Sequence, residues 1–304
     1  MSATFDIAVI GDGIAGLMAA QQAALAGVSV GHFVEHGMAG GLVVNVGELD
    51  GWPSAAPVGG AELAAGMMAR NEELGVVLVP SRIDTVGGGA IKALAGADGA
   101  WRARQVVVAT GASLRPLDVP GAARLAGRGV SQCAWCDGAL YRDADVVVAG
   151  GGDAALSEAL HLAQFARSIT LVTRGETFRA RRRYVERVAS DERFQLRWAS
   201  EIVEVLGETV VEAVRLRDRE SGGEETIACR GLFVFVGLSA NAGLLGPEVA
   251  RDERGFVVTD PACETASAGL FAVGAVRAGH GGTLAEAVGE ATRAAVRAAA
   301  RCDD

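Results

Sequence analysis

Cations are in deficit: 28 Lys and Arg stand against 37 Asp and Glu in 304 residues, a net charge of −9. No basic surplus is left to neutralise a phosphate backbone, so general nucleic-acid binding is not expected. The sequence has no uncharged apolar run long enough to span a membrane. Its start, MSATFDIAVIGDG, lacks the basic head, apolar core and small-residue cleavage site of a secretory signal. A cytoplasmic location with no membrane partner is expected, where structural disulfides are rare. Cysteine is scarce too: of five, only Cys133 and Cys136 are close together. A structural zinc takes about four ligands, usually from two such pairs, and no second CxxC exists here. His32 and His36 bracket a strand end without an obvious third ligand, so no metal is expected. Cys229 and Cys263 read as packing residues, and Cys302, near the end, as exposed.

What the chain has in plenty is glycine, 42 residues, together with a hydrophobic fraction of 50%. So much glycine excludes an all-helical protein and marks tight turns and close backbone approaches. The length suffices for two domains, each with its own core.

Residues 5–35 read FDIAVIGDGIAGLMAAQQAALAGVSVGHFVE. A short apolar run, Ile7 to Ile10, suits a buried parallel strand, and an alanine- and leucine-rich helix to Gly27 follows the turn. Gly11 allows the tight exit from the strand, Gly13 removes a side chain where a pyrophosphate would approach, and Gly16 lets the helix lie close to the strand. Glu35 ends the next strand, Val28 to Val34, and can accept hydrogen bonds from an adenosine ribose. Together these make a dinucleotide-binding βαβ unit.

Residues 145–183 repeat the theme with strand Val146–Ala149, the GxGxxA turn Gly150-Gly-Gly152-Asp153-Ala154-Ala155, and a helix expected to run through Phe165. Asp153 reads as the helix cap. The strand after it ends at Thr173 rather than an acid, with Arg174, Arg179 and Arg181 to Arg183 beyond. That favours a 2′-phosphate, hence NADPH over NADH, although Arg181 to Arg183 fit a solvated basic face equally well. Three more apolar strands end in small-residue turns: the one at 105–112, with Thr110 and Gly111, and those at 231–237 and 269–274. A β-meander is expected between Asp84 and Ala103, and a helix from Thr283 to Arg301.

Between the two nucleotide units lies GRGVSQCAWCDGALY, residues 127–141. With GDGIAG, the segment from Gly40-Gly41 to Pro53, VVVATGAS at 106–113, GGGDAA, TRGETFRA at 173–180 and GLFAVG at 269–274, the chain resembles the low-molecular-weight thioredoxin reductases over nearly its whole length. These are class II pyridine nucleotide-disulfide oxidoreductases. The resemblance implies an α/β fold with two Rossmann-like (three-layer ββα) dinucleotide-binding domains, one inserted in the other. Residues 1–116 plus 243–304 would bind FAD, through Gly11, Gly13, Gly16, Glu35, Gly40, Gly41, Thr110, Gly111, Gly274 and Ala275. Residues 117–242 would bind NADPH or NADH, through Gly150, Gly152, Asp153, Ala154, Arg174 and Arg179. A homodimer is implied, with a thioredoxin-like protein or a small disulfide or dithiol as substrate. Cys136 would exchange electrons with the flavin, Cys133 would attack the substrate disulfide, and Asp137 would protonate the leaving thiolate. A CxxC on a helix lowers one thiol's pKa and keeps its partner within reach to resolve a mixed disulfide.

The sequence departs from the family's pattern on the flavin side. Ala275 stands where an aspartate holds the ribityl chain, Gly282-Thr283-Leu284 replaces Arg-Gln-Ala, Leu42 replaces a glutamine and Gly51 an asparagine. These changes leave two further readings open: an FAD-deficient, non-catalytic relative binding an adenine nucleotide or a partner protein, and an FAD-dependent dithiol oxidase.

Overall fold

The computed structural model describes residues 4–35, 39–49, 52–53, 56 and 58–302. His36 and Gly51 lie outside the described residues. The chain forms two compact units, one made of Met1–Ser113 with Ser239–Asp304 and the other of Leu114–Leu238.

The first unit opens with β1 (Thr4–Ile10), α1 (Ile14–Leu25), β2 (Val30–Val34), α2 (Gly60–Glu73) and β3 (Val77–Pro80). Strands β4 (Thr85–Val86), β5 (Lys92–Gly96) and β6 (Gly99–Val108) follow, then β7 (Ala112–Leu114) as the chain leaves. Parallel pairing gives the order β3-β2-β1-β6, and β5 and β4 continue it antiparallel. Strand β1 shows why the sheet has two covered faces. Alternate side chains point to opposite sides: Ile7 and Val9 join a core under the helices, while Ala8 and Ile10 join one on the meander side with Val86 and Leu94.

The second unit repeats the plan. It contains β8 (Val130–Ser131), α3 (Ala134–Asp137), β9 (Asp145–Ala149), α4 (Asp153–Leu162), β10 (Ser168–Val172), α5 (Arg182–Ala189) and β11 (Phe194–Arg197). Three strands, β12 (Ser200–Leu206), β13 (Ala213–Asp218) and β14 (Glu224–Ala228), form an antiparallel layer before β15 (Gly231–Val234). Strands β11-β10-β9-β15-β8 make a wholly parallel sheet. On β9, Val146 and Val148 face the helices, and Val147 and Ala149 face the antiparallel layer. Helix α4 stops at Leu162, short of Phe165, because its end tightens into a turn in which the Phe165 amide donates to the Leu162 carbonyl.

The chain returns through β16 (Leu238–Ala240), adds β17 (Leu270–Ala272) parallel to β6, and ends in α6 (Leu284–Ala300), capped by the Thr283 side chain. Helices α1 and α6 meet through Ala19, Ala20 and Ala23 against Ala291, Ala294, Ala295 and Ala298. Cys302 is buried rather than exposed: the end of α6 packs into this core, and the thiol lies 3.4 Å from the Ala298 carbonyl. Phe271 on β17 is fully enclosed in the same cluster. Phe271→Ala is expected to cost about 3–5 kcal/mol of unfolding free energy, read from urea denaturation.

Candidate functional site

In the second unit, the chain leaves β8 and turns at once into the CxxC segment. The Ser131 hydroxyl accepts from the Cys133 amide at 3.1 Å, and Cys133 starts the single turn α3. Cys133 and Cys136 form a disulfide with a Cα–Cα distance of 5.3 Å. The Cys136 N–H points at Cys133 Sγ at 3.1 Å, and such a bond favours a thiolate at Cys133 once the pair is reduced. Asp137 closes the turn through its amide to the Cys133 carbonyl, 3.2 Å. Cys136 is exposed, Cys133 and Asp137 half-buried.

Two residues that sequence reasoning passed over, Glu158 and His161 on α4, hold this segment. Glu158 Oε2 accepts from the Ala134 amide at 2.6 Å, and the His161 ring stacks on Trp135 at 3.7 Å between centroids and 21° between planes. Burial lowers the pKa of His161. Their spacing of three puts both on one helix face, a signal visible in the sequence but indistinguishable there from an ordinary amphipathic pattern. The remaining cysteines offer no second pair. Cys229, Cys263 and Cys302 are buried and form no disulfide, and burial pushes the Cys229 thiol up to about 12.

Both glycine turns are shaped for a dinucleotide. Gly11 has φ +119°, and a Cβ there would meet the Ala109 carbonyl at 2.3 Å; on Gly16 it would meet the Gly11 carbonyl at 2.0 Å. His32 is buried, its Nε2 2.9 Å from the same carbonyl, and burial holds its pKa low. Gly13 is different: a Cβ there meets nothing within 4 Å, and it caps α1 without a side-chain hydrogen bond. The Gly40 amide donates to the Asp12 carbonyl at 2.5 Å, and a Cβ on Gly41 would come within 3.3 Å of Gly13 Cα, so this loop closes beside the cradle. Gly150 (φ +140°) repeats Gly11 against the Phe235 carbonyl at 2.4 Å, and Gly152 repeats the open space of Gly13. Both α1 and α4 begin without a side-chain cap, and uncapped first-turn amides are the groups that could hold a diphosphate.

Asp153 does not cap α4. Gly152 does, and the Asp153 carboxylate is drawn away by Arg181, whose amide and Nε lie at 2.7 and 3.0 Å. Ala154 follows it in the first turn. Arg174 and Arg179 are exposed, and the Arg179 amide donates to the Gly151 carbonyl at 2.8 Å. Glu35 is exposed, with Arg82 Nη1 at 3.6 Å. The Thr110 hydroxyl donates to the Asn241 carbonyl at 2.7 Å, and the Gly111 carbonyl accepts the Asn241 amide. Gly13→Val, at an extended φ of −72° in open space, is expected to keep the melting temperature within about 2 °C yet to abolish retention of bound flavin, read from the visible spectrum.

At the Gly274–Ala275 turn, a carboxylate arrives from elsewhere in the chain. Glu290 of α6, 1% exposed, accepts from the Gly274 amide at 2.8 Å, faces Arg277 Nη1 at 2.9 Å and lies 3.3 Å from His280 Nδ1. His280, Glu286 and Glu290 bring their ligand atoms within 4.8 Å of one another, but these donors already occupy the Glu290 oxygens. Burial works against its charge, yet the nearby His280 and the hydrogen bonds from Gly274 and Arg277 outweigh it and hold the pKa low. A depressed folded-state pKa gives stability that is present above the ordinary carboxylate value and is lost as pH falls through the folded one. Glu290→Gln is therefore expected to destabilise the protein at pH 7 by about 2–3 kcal/mol and to shrink that difference below pH 4, read by thermal unfolding across pH.

The sequence profile for the pyridine nucleotide-disulphide oxidoreductase family matches residues 5–299. A thioredoxin reductase of Treponema pallidum is 35% identical, the alignment covering 91% of each chain, and one of Peptoclostridium litorale is 35% identical over 98% of this chain and 97% of its own. The crystal structure of Lactococcus lactis thioredoxin reductase, FR conformation, superposes with a TM-score of 0.94 at 32% identity, covering 98% of this chain and 99% of that one. Profile, relatives and fold agree with the two glycine cradles and the Cys133–Cys136 disulfide, and the chain belongs to the pyridine nucleotide-disulphide oxidoreductase family.

Proposed function

We propose that this chain is an NADPH-dependent disulfide reductase of the thioredoxin reductase type, acting on a thioredoxin-like protein or a small disulfide. The observation that carries the reading is the Cys133–Cys136 disulfide held in the same unit as the Gly150–Gly152 cradle. The unit built from both ends of the chain is assigned to FAD, through Gly11, Gly13, Gly16, Glu35, Gly40, Gly41, Thr110, Gly111, Gly274 and Ala275. The inserted unit is assigned to NADPH through Gly150, Gly152, Asp153, Ala154, Arg174 and Arg179. Thr173 in place of an acid at the end of β10, with exposed Arg174 and Arg179 beyond it, supports NADPH over NADH. When bound, these groups supply the two electrons that the disulfide receives.

The chain's own chemistry follows from the turn. Two electrons and two protons open the Cys133–Cys136 bond to two thiols. Cys133, favoured as the thiolate by the Cys136 amide, attacks the substrate disulfide; an S–S bond forms to Cys133 and the other substrate sulfur leaves. Asp137 protonates that leaving thiolate. Cys136 then attacks Cys133, restoring the internal disulfide and releasing the second substrate thiol. The reading includes a homodimer and a cytoplasmic location; among the described residues no helix is long and apolar enough to cross a membrane.

Purified protein is expected to oxidise NADPH in proportion to thioredoxin reduced, and Cys133→Ser or Cys136→Ser to lower that rate at least about a thousandfold. A flavin-loaded protein that transfers no electrons from NADPH to thioredoxin, or one that oxidises dithiols with oxygen instead, would overturn it.

A further inference from the structure

The CxxC turn does not support itself. It has a single helical turn of backbone, and its third anchor comes from another element: Glu158, five residues into α4, reaches across to the amide of Ala134, directly after Cys133. The Trp135 amide, next along the turn, also favours the charge on this carboxylate. One turn later on α4, His161 stacks under Trp135, and Phe165 packs edge-on against His161 at 5.5 Å. A carboxylate thus sits on the peptide between the two sulfurs.

We propose that Glu158 is a positioning residue for the Cys133–Cys136 pair: it fixes the turn through its backbone and places a titratable carboxyl that sets how readily the reduced pair ionises. The inference rests on the reading of Cys133–Cys136 as the redox pair. An ionised carboxylate close to a thiol disfavours the thiolate. Removing the charge while keeping an acceptor oxygen makes the thiolate easier to form and the disulfide easier to reduce.

The surroundings leave Glu158 to act alone. Burial raises its pKa and the two amides pull it back; no charged side chain contributes. From the CxxC turn it meets the Ala134 amide; Cys133, Cys136 and Asp137 belong to the same turn, and the Ser131 hydroxyl of β8 is already bonded to the Cys133 amide. From its own helix come Ser157, turned to the Ala154 carbonyl, and His161. The turn after α3 brings Tyr141, whose pKa is raised by burial and by Asp137, and Arg142, which lies over Phe165. Helix α5 packs here through Tyr184, Val185 and Val188, while its Arg182 is paired outward with Glu186. A raised carboxyl value puts the change of charge closer to the range in which the thiols titrate, so the two titrations couple.

The test uses the whole chain and dithiothreitol alone. Reduction opens the Cys133–Cys136 bond and closes the cyclic disulfide of the reagent, two electrons and two protons passing between them. Redox equilibrium at pH 8 and iodoacetamide alkylation from pH 4 to 9 are read by peptide mass spectrometry on Cys133 and Cys136. Glu158→Gln is expected to shift the equilibrium toward the dithiol about tenfold, about 30 mV for a two-electron couple, and to speed alkylation several-fold at pH 7. The rate difference between wild type and Glu158→Gln is expected to shrink toward pH 4, where the Glu158 carboxyl is protonated. Superposable wild-type and Glu158→Gln curves with equal melting temperatures overturn the proposal. If Glu158→Gln fails to fold, the same two measurements on Glu158→Asp, which keeps the charge but shortens the reach to the Ala134 amide, decide: curves superposable on wild type overturn the proposal and shifted ones support it. Because neither NADPH nor thioredoxin enters the assay, its outcome is independent of whether the chain proves to be a thioredoxin reductase.

Discussion

The tight approach of one backbone to another at the strand ends governs the rest of the molecule. At Gly11 a carbonyl of the neighbouring segment stands where a side chain would begin, and Gly150 meets the same constraint against Phe235. These approaches let α1 and α4 start immediately after β1 and β9, aimed along the ends of their sheets. The open space at Gly13 and Gly152 exists because the crowding is taken one turn earlier. Crowded glycines fix the scaffold, and uncrowded ones make room for a ligand.

Helix α4 joins two tasks that look separate along the chain. Its first turn borders the second cradle, and its next two turns carry Glu158 and His161 to the CxxC segment. The nucleotide turn and the disulfide therefore share one rigid element. Any shift of α4 relative to β9 would move both, and the apolar packing of Leu156, Ala159 and Leu162 into the core resists such a shift.

Much of this was legible in the residues. Both βαβ units, the meander ahead of β6 and the terminal helix rest on local patterns, apolar runs ended by glycine, which need no tertiary information. The CxxC was equally plain. What could not be read was which polar residue meets which. Asp153 has the look of a cap, yet Arg181, 28 positions on, claims its carboxylate. Cys302 has the look of an exposed tail residue, yet the end of α6 is buried. Ala275 suggested a turn without a carboxylate, and Glu290 brings one to the Gly274 amide, sixteen positions before it. Such pairings come from packing between elements, which spacing along the chain does not encode.

The seam between α1 and α6 is built almost wholly of methyl groups: Ala19, Ala20 and Ala23 on one side, Ala291, Ala294, Ala295 and Ala298 on the other. Small side chains let two helices run close, so each position contributes little by itself and leaves nowhere for a larger group to go. In evolutionary terms the seam is a one-way street. A lineage can exchange aromatic or branched residues elsewhere in the core by compensating a neighbour, but here the residue facing each alanine across the seam is itself an alanine. Variation at these positions should be confined to glycine and serine, while the outward faces of the same helices drift freely.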